Sequence, residues 1–135
     1  MKIILTSFLL FIFCTAHAQT DTTRIITTDS AVYFNTEIQV EFPGGIQAWY
    51  RYLQKNLRYP ESAVSNNIQG QVVTRFIVDS TGSAHDFISV SGPEELRAEC
   101  IRVLKKVGIW SPAIQRGKKV NAWKTQPINF KLESR

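Results

Sequence analysis

The chain has 135 residues, 44% of them apolar, and carries 16 Lys and Arg against 11 Asp and Glu, a formal net charge of +5. That length fits one domain at the usual ~100–200 residues each. It is too short for a dinucleotide-binding or barrel enzyme with a separate substrate domain. Of its two cysteines and two histidines, Cys14 and His17 lie in the first 18 residues, which read as a removable leader. The remaining Cys100 and His85 are too few for a structural zinc site, which needs three or four clustered ligands.

Met1–Ala18 reads as an export signal. Lys2 gives the positive start, Ile3–Phe13 the apolar run, and Ala16-His17-Ala18 the small-x-small cleavage site, so the mature chain is expected to begin at Gln19 in the periplasm. The alternative is an uncleaved inner-membrane anchor, for which the apolar run is short. Cys14 leaves with the signal, so Cys100 remains without an intramolecular partner. An exported basic chain is expected to present a solvated cationic surface to an anionic envelope rather than to bind nucleic acid.

Gln19–Glu41 is polar and Thr-rich, with strand-forming runs at Arg24–Thr28 and Ala31–Phe34, and is expected as a linker or as added strands. Phe42-Pro43-Gly44-Gly45 then breaks the chain. Ile46, Trp49, Tyr50, Leu53 and Leu57 follow at the offsets of one helical face. Tyr59-Pro60 ends that helix, because the residue before proline is driven toward extended geometry. A short helical turn is expected over Glu61–Ser65.

Gly70 opens a strand in which Val72, Thr74, Phe76 and Val78 alternate with Gln71, Val73, Arg75 and Ile77. Asp79-Ser80-Thr81-Gly82 supplies turn residues, and Ala84–Val90 returns, making a hairpin. If its even positions face the helices, Val73, Ile77, Phe87 and Trp123 form an apolar outer face, which Gln19–Glu41 is expected to cover. Ser91-Gly92-Pro93-Glu94-Glu95 starts a second helix. Its stripe is Leu96, Cys100, Val103, Leu104 and Val107, which makes Cys100 a buried small hydrophobe rather than a nucleophile. Ile109–Gly117 reads as a loop and Lys118–Leu132 as a last strand. Pro127 inside that strand cannot donate to a ladder, so the strand is expected at an edge or bulged. The order gives an α+β fold, a small two-layer sandwich of a three-stranded antiparallel sheet with two main helices on one face.

His85 and Cys100 lie on different elements with no orienting partner, and no carboxylate pair or phosphate-loop spacing occurs. No catalytic residue, metal or cofactor is expected.

The ordered set Phe42-Pro43-Gly44-Gly45, Asn56-Leu57-Arg58-Tyr59-Pro60, Ile68-Gln69-Gly70-Gln71-Val72, Val78-Asp79-Ser80-Thr81-Gly82, Trp110-Ser111-Pro112, Gly117-Lys118-Lys119-Val120 and Pro127-Ile128-Asn129-Phe130 closely resembles the C-terminal domain of the energy transducer TonB. The likeness is to the subgroup with an FPGG run, here as a stand-alone exported domain. It covers about Phe42 to Leu132 and divides the chain into a signal (1–18), an N-terminal segment (19–41) and the TonB-like domain (42–135).

The resemblance implies a periplasmic binding module whose last strand takes the TonB-box peptide of TonB-dependent outer-membrane receptors. The implied contacts are Val120, Asn121, Ala122, Trp123, Lys124, Thr125 and Gln126, with Tyr59 and Pro60 at the receptor-facing end. Proline at Ala122 or Lys124 is expected to remove a backbone donor that binding uses. A full transducer also has a membrane anchor coupled to motor proteins and a Pro-rich spacer. Gln19–Glu41 contains no proline, so no stiff spacer is expected, and with Met1–Ala18 cleaved no anchor is expected for coupling to the motor proteins. The second reading is a structural envelope protein that keeps the fold and self-associates, as a homodimer for instance.

Overall fold

A computed structural model describes residues 31–133 of the chain; the expected signal, its cleavage point and residues 19–30 lie outside the described residues. The chain order is β1 (Val32–Tyr33), α1 (Gly45–Asn56), α2 (Glu61–Ser65), β2 (Gly70–Val78), β3 (Ala84–Ser91), α3 (Glu94–Lys105), β4 (Ala113–Gln115) and β5 (Lys118–Phe130). The architecture is the expected α+β sandwich, with one difference in the sheet. It has five strands instead of three, in the order β1-β5-β2-β3, with β4 also paired to β5.

The two extra strands are two and three residues long, too short to display a period of two in the sequence. β1 runs parallel to β5 at Asn121 and Ala122. β4 lies in the stretch expected to be a loop. Arg116 and Gly117, both at positive φ, make the two-residue turn that folds β4 back on Lys118–Val120, the turn geometry that suits strand twist.

The central pairing is β2 with β5, nine consecutive antiparallel pairs from Gly70↔Phe130 to Val78↔Ala122 with no shift of register. Period two then sends Val72, Thr74, Phe76 and Val78 of β2, and Val120, Ala122, Ile128 and Phe130 of β5, toward the helices, where all are buried. α3 packs Leu96, Cys100, Val103 and Leu104 against them, and α1 adds Trp49. Phe42, Trp49, Tyr52, Phe76 and Trp110 form one aromatic group with ring centroids 5.1 to 5.9 Å apart. Cys100 is fully buried. Burial, with a smaller push from the Glu99 charge, raises its thiol to about 12, so almost no thiolate forms near neutral pH.

The outer face departs from the simple parity. Arg75 pairs with Ile88 but Ile77 pairs with His85, so two β3 residues oppose one on β2. This is a bulge, with Asp86 at φ 55. It rotates Phe87 to the helix side, where it stacks on Phe76 at 5.1 Å. Phe87 therefore does not belong to the outer face, and Ile88 and Val90 are the exposed apolar residues of β3.

Residues 31–41 are woven into the domain. Ile38 and Ile114 exchange backbone hydrogen bonds of 3.1 and 3.0 Å, as do Glu41 and Ser111 at 3.1 and 3.0 Å. Val40 between them is buried in the core. On the outer face Phe34 stacks on Trp123, centroids 5.9 Å apart. The described part of the N-terminal segment thus pairs mainly along strands, with Phe34 alone reaching over Trp123.

Candidate functional site

β5 is longer than any of its neighbours, and that mismatch creates the site. β4 pairs with Lys118–Val120, β1 with Asn121 and Ala122, and β2 with Ala122–Phe130. From Trp123 to Phe130, β5 has β2 on one side and, among the described residues, no strand on the other.

The direction of each backbone group follows from Pro127. Antiparallel partners alternate between pairs that exchange hydrogen bonds and pairs that do not. Pro127 has no N–H, and a proline fits the interior of a continuous ladder when its nitrogen faces the open side. The Leu132 N–H, of even parity, donates to Gln69 Oε1 on the β2 side at 2.8 Å, which agrees. Odd residues Trp123, Thr125, Pro127 and Asn129 therefore aim their backbone polar groups at the open edge. Even residues Lys124, Gln126, Ile128 and Phe130 aim theirs at β2.

Beside this edge runs a groove of about 780 Å³ between α1 and β5, lined by Ile46, Trp49, Tyr50, Leu53, Pro127 and Ile128 among others. The α1 stripe is split in two. Trp49 enters the core with Tyr52 and Leu53 beside it, and the Tyr52 hydroxyl donates to the Val103 carbonyl at 2.7 Å. Ile46 and Tyr50 stay more than half exposed and form the outer wall of the groove. A second hollow, bounded by Glu41, Phe42, Ile46, Lys124 and Gln126, continues it toward β1. Burial pulls the Lys124 ammonium below the usual lysine range, and the Glu41 carboxylate nearby offsets part of that fall.

The residues expected to bind peptide fall into three places. Trp123, Lys124, Thr125 and Gln126 lie on the open stretch. Val120 pairs with Ala113, Asn121 with Val32, and Ala122 with both Tyr33 and Val78, so these three already have strand neighbours. Asn121 also accepts the Ser80 N–H through Oδ1 at 2.9 Å. Tyr59 and Pro60 sit at the opposite end of β5. The Tyr59 ring meets Phe130 edge-on at 5.5 Å, and its hydroxyl donates to the Ile68 carbonyl. Ten residues of strand, about 33 Å, separate Val120 from Phe130, so Tyr59 and Val120 do not share one site.

Sequence reasoning missed Ile46, Tyr50, Ile128 and Asn129 beside the edge. The available signal was the width of the α1 stripe: five apolar residues are more than one buried face of a short helix takes up. Among the described residues no three His, Cys, Asp or Glu side chains come together as metal ligands.

A family profile described as Gram-negative bacterial TonB protein C-terminal matches residues 55–132. The chain belongs to the TonB C-terminal domain family. The solution structure of the Helicobacter pylori TonB C-terminal domain (its residues 179–285) aligns with a TM-score of 0.50 at 17% identity, over 70% of this chain and 91% of that one. The Pseudomonas aeruginosa TonB C-terminal domain aligns with a TM-score of 0.46 at 28% identity, over 58% of this chain and 80% of that one. A search of curated proteins finds no match. Family and fold point to a TonB-like role in transport across the envelope. Among the described residues no helix is long and apolar enough to cross a membrane.

Proposed function

We propose that this chain is a periplasmic TonB-like module that docks the TonB-box peptide of outer-membrane receptors by strand addition along β5. The observation that carries the reading is the edge from Trp123 to Phe130, which no described strand covers, with a groove beside it lined by apolar side chains of α1 and by Gln54, Asn129, Lys131 and Glu133. An extended peptide laid on that edge satisfies the outward backbone groups. Its alternate side chains then drop toward Ile46, Tyr50 and Leu53, so the backbone supplies attachment and α1 supplies selectivity. This moves the expected contact from Val120–Gln126 toward Trp123–Asn129, since Val120, Asn121 and Ala122 have neighbours in place.

Amide resonances test the reading. Titration of isotope-labelled protein with a receptor TonB-box peptide is expected to shift Thr125 and Asn129 most, together with Ile46 and Tyr50. Shifts confined to β3, or no saturable shift, would remove it.

A further inference from the structure

The open edge carries an interruption at its centre. Pro127 is one of the four residues whose backbone faces outward, and it offers no donor. Its carbonyl is also engaged, because the Gln126 side-chain Nε2 donates to it at 3.0 Å. The edge therefore presents N–H donors at Thr125 and Asn129 and is closed between them.

That closure acts unequally on different partners. Two copies of this chain pairing β5 against β5 about a two-fold axis bring two prolines to the seam, one from each strand, in every register within Trp123–Asn129. Each proline leaves a carbonyl of the opposite strand without its donor. A foreign peptide meets only one such position and forfeits half as many bonds. Exposed edges are the usual route to unwanted association between identical chains, and edge prolines are a recurrent defence.

We infer that Pro127, with Gln126 capping its carbonyl, is the specificity-determining element that keeps β5 from pairing with a second copy of this chain while leaving it open to a foreign strand. The inference deepens the docking proposal and rests on β5 being a strand-accepting edge. It also bears on the self-associating reading of the fold, since any such association has to use another surface.

The experiment compares the full chain with Pro127→Thr and Pro127→Ala by sedimentation velocity over a range of concentrations. The new N–H faces away from β2, so the β2–β5 ladder is undisturbed, and circular dichroism is expected to match the wild type. Restoring two bonds across a two-fold seam is expected to tighten self-pairing about thirtyfold. The Thr125 and Asn129 amides of the variants should become protected from exchange in the dimer. Variants no more associated than the wild type would overturn the inference, as would a wild-type dimer protecting those same two amides. The peptide titration separates the two claims. If the peptide leaves Thr125 and Asn129 unshifted while Pro127→Thr still dimerises, the docking proposal falls and the barrier to self-pairing stands.

Discussion

Tyr59 shows how one side chain can be legible as important while its role is not. The sequence marks it by position, directly before the proline that ends α1, and the family resemblance adds a receptor-facing role. The structure gives it internal work: its hydroxyl satisfies the Ile68 carbonyl and its ring supports Phe130, fastening the start of β2 to the end of β5. Tyr59→Phe keeps the ring and deletes the hydrogen bond, and is expected to cost about 1 kcal/mol of stability. Urea denaturation measures that loss, and a midpoint equal to the wild type would show that the hydroxyl does not hold this corner. Gly82 is a simpler case. It sits at φ +89, where an added Cβ would lie 2.4 Å from the Trp110 carbonyl oxygen, so this turn accepts no side chain.

Between elements, a pH-sensitive contact joins α3 to the end of α1. Glu99 accepts two hydrogen bonds from Arg102 at 2.6 and 2.8 Å and one from the Arg58 backbone N–H at 2.7 Å. Arg102 in turn donates to the Asn56 carbonyl at 2.7 Å, at the negative end of the α1 dipole. Burial raises the Glu99 carboxyl, but these donors outweigh it and hold the group below its ordinary 4.5. A folded value below the unfolded one means that the stabilisation is present above the unfolded value and is lost as pH falls through the folded one. Glu99→Gln is therefore expected to be less stable than the wild type at pH 7, with the gap closing below about pH 4. Denaturation at pH 7 and pH 3 checks this, and a gap independent of pH would count against the pairing. The sequence displays α3 and its apolar stripe through regular 3.6-residue spacing, but the Glu99–Arg102–Arg58 arrangement depends on two helices meeting and leaves no periodic trace. The same limit hid the β3 bulge. Strict alternation assigns Phe87 to the outer face, and one extra residue at Asp86 reverses it.

At the scale of the whole molecule, the domain reaches further toward the N-terminus than the family-like stretch from Phe42. Removing residues through Glu41 deletes buried Val40 and four backbone hydrogen bonds to Ser111 and Ile114. It is expected to cost about 3 kcal/mol or more, read as a lower denaturation midpoint; unchanged stability would mean that this segment is only an attachment. The long β5 strand, its proline and an open edge beside that proline were legible from residue types and parity, although β5 as a whole lies between β1 and β2. The closing of Asn121 and Ala122 by a two-residue parallel strand was not, because pairing between distant segments has no local signature. Backbone direction then changes which substitutions test docking. Proline at Ala122 or Lys124, expected from sequence to remove a peptide-binding donor, instead removes a donor aimed at β2 and breaks the central ladder, so it reports on folding. Thr125→Pro removes a donor aimed at the open edge and leaves the ladder whole. It is expected to keep the wild-type circular dichroism and denaturation midpoint while weakening TonB-box peptide binding about fivefold, the worth of one net hydrogen bond. Lys124→Pro should lose several kcal/mol of stability. Calorimetric titration of Thr125→Pro, run beside denaturation of both variants, separates binding from folding. If Thr125→Pro unfolds while Lys124→Pro remains intact, the even and odd positions of β5 have been assigned to the wrong edges, and the docking surface lies elsewhere.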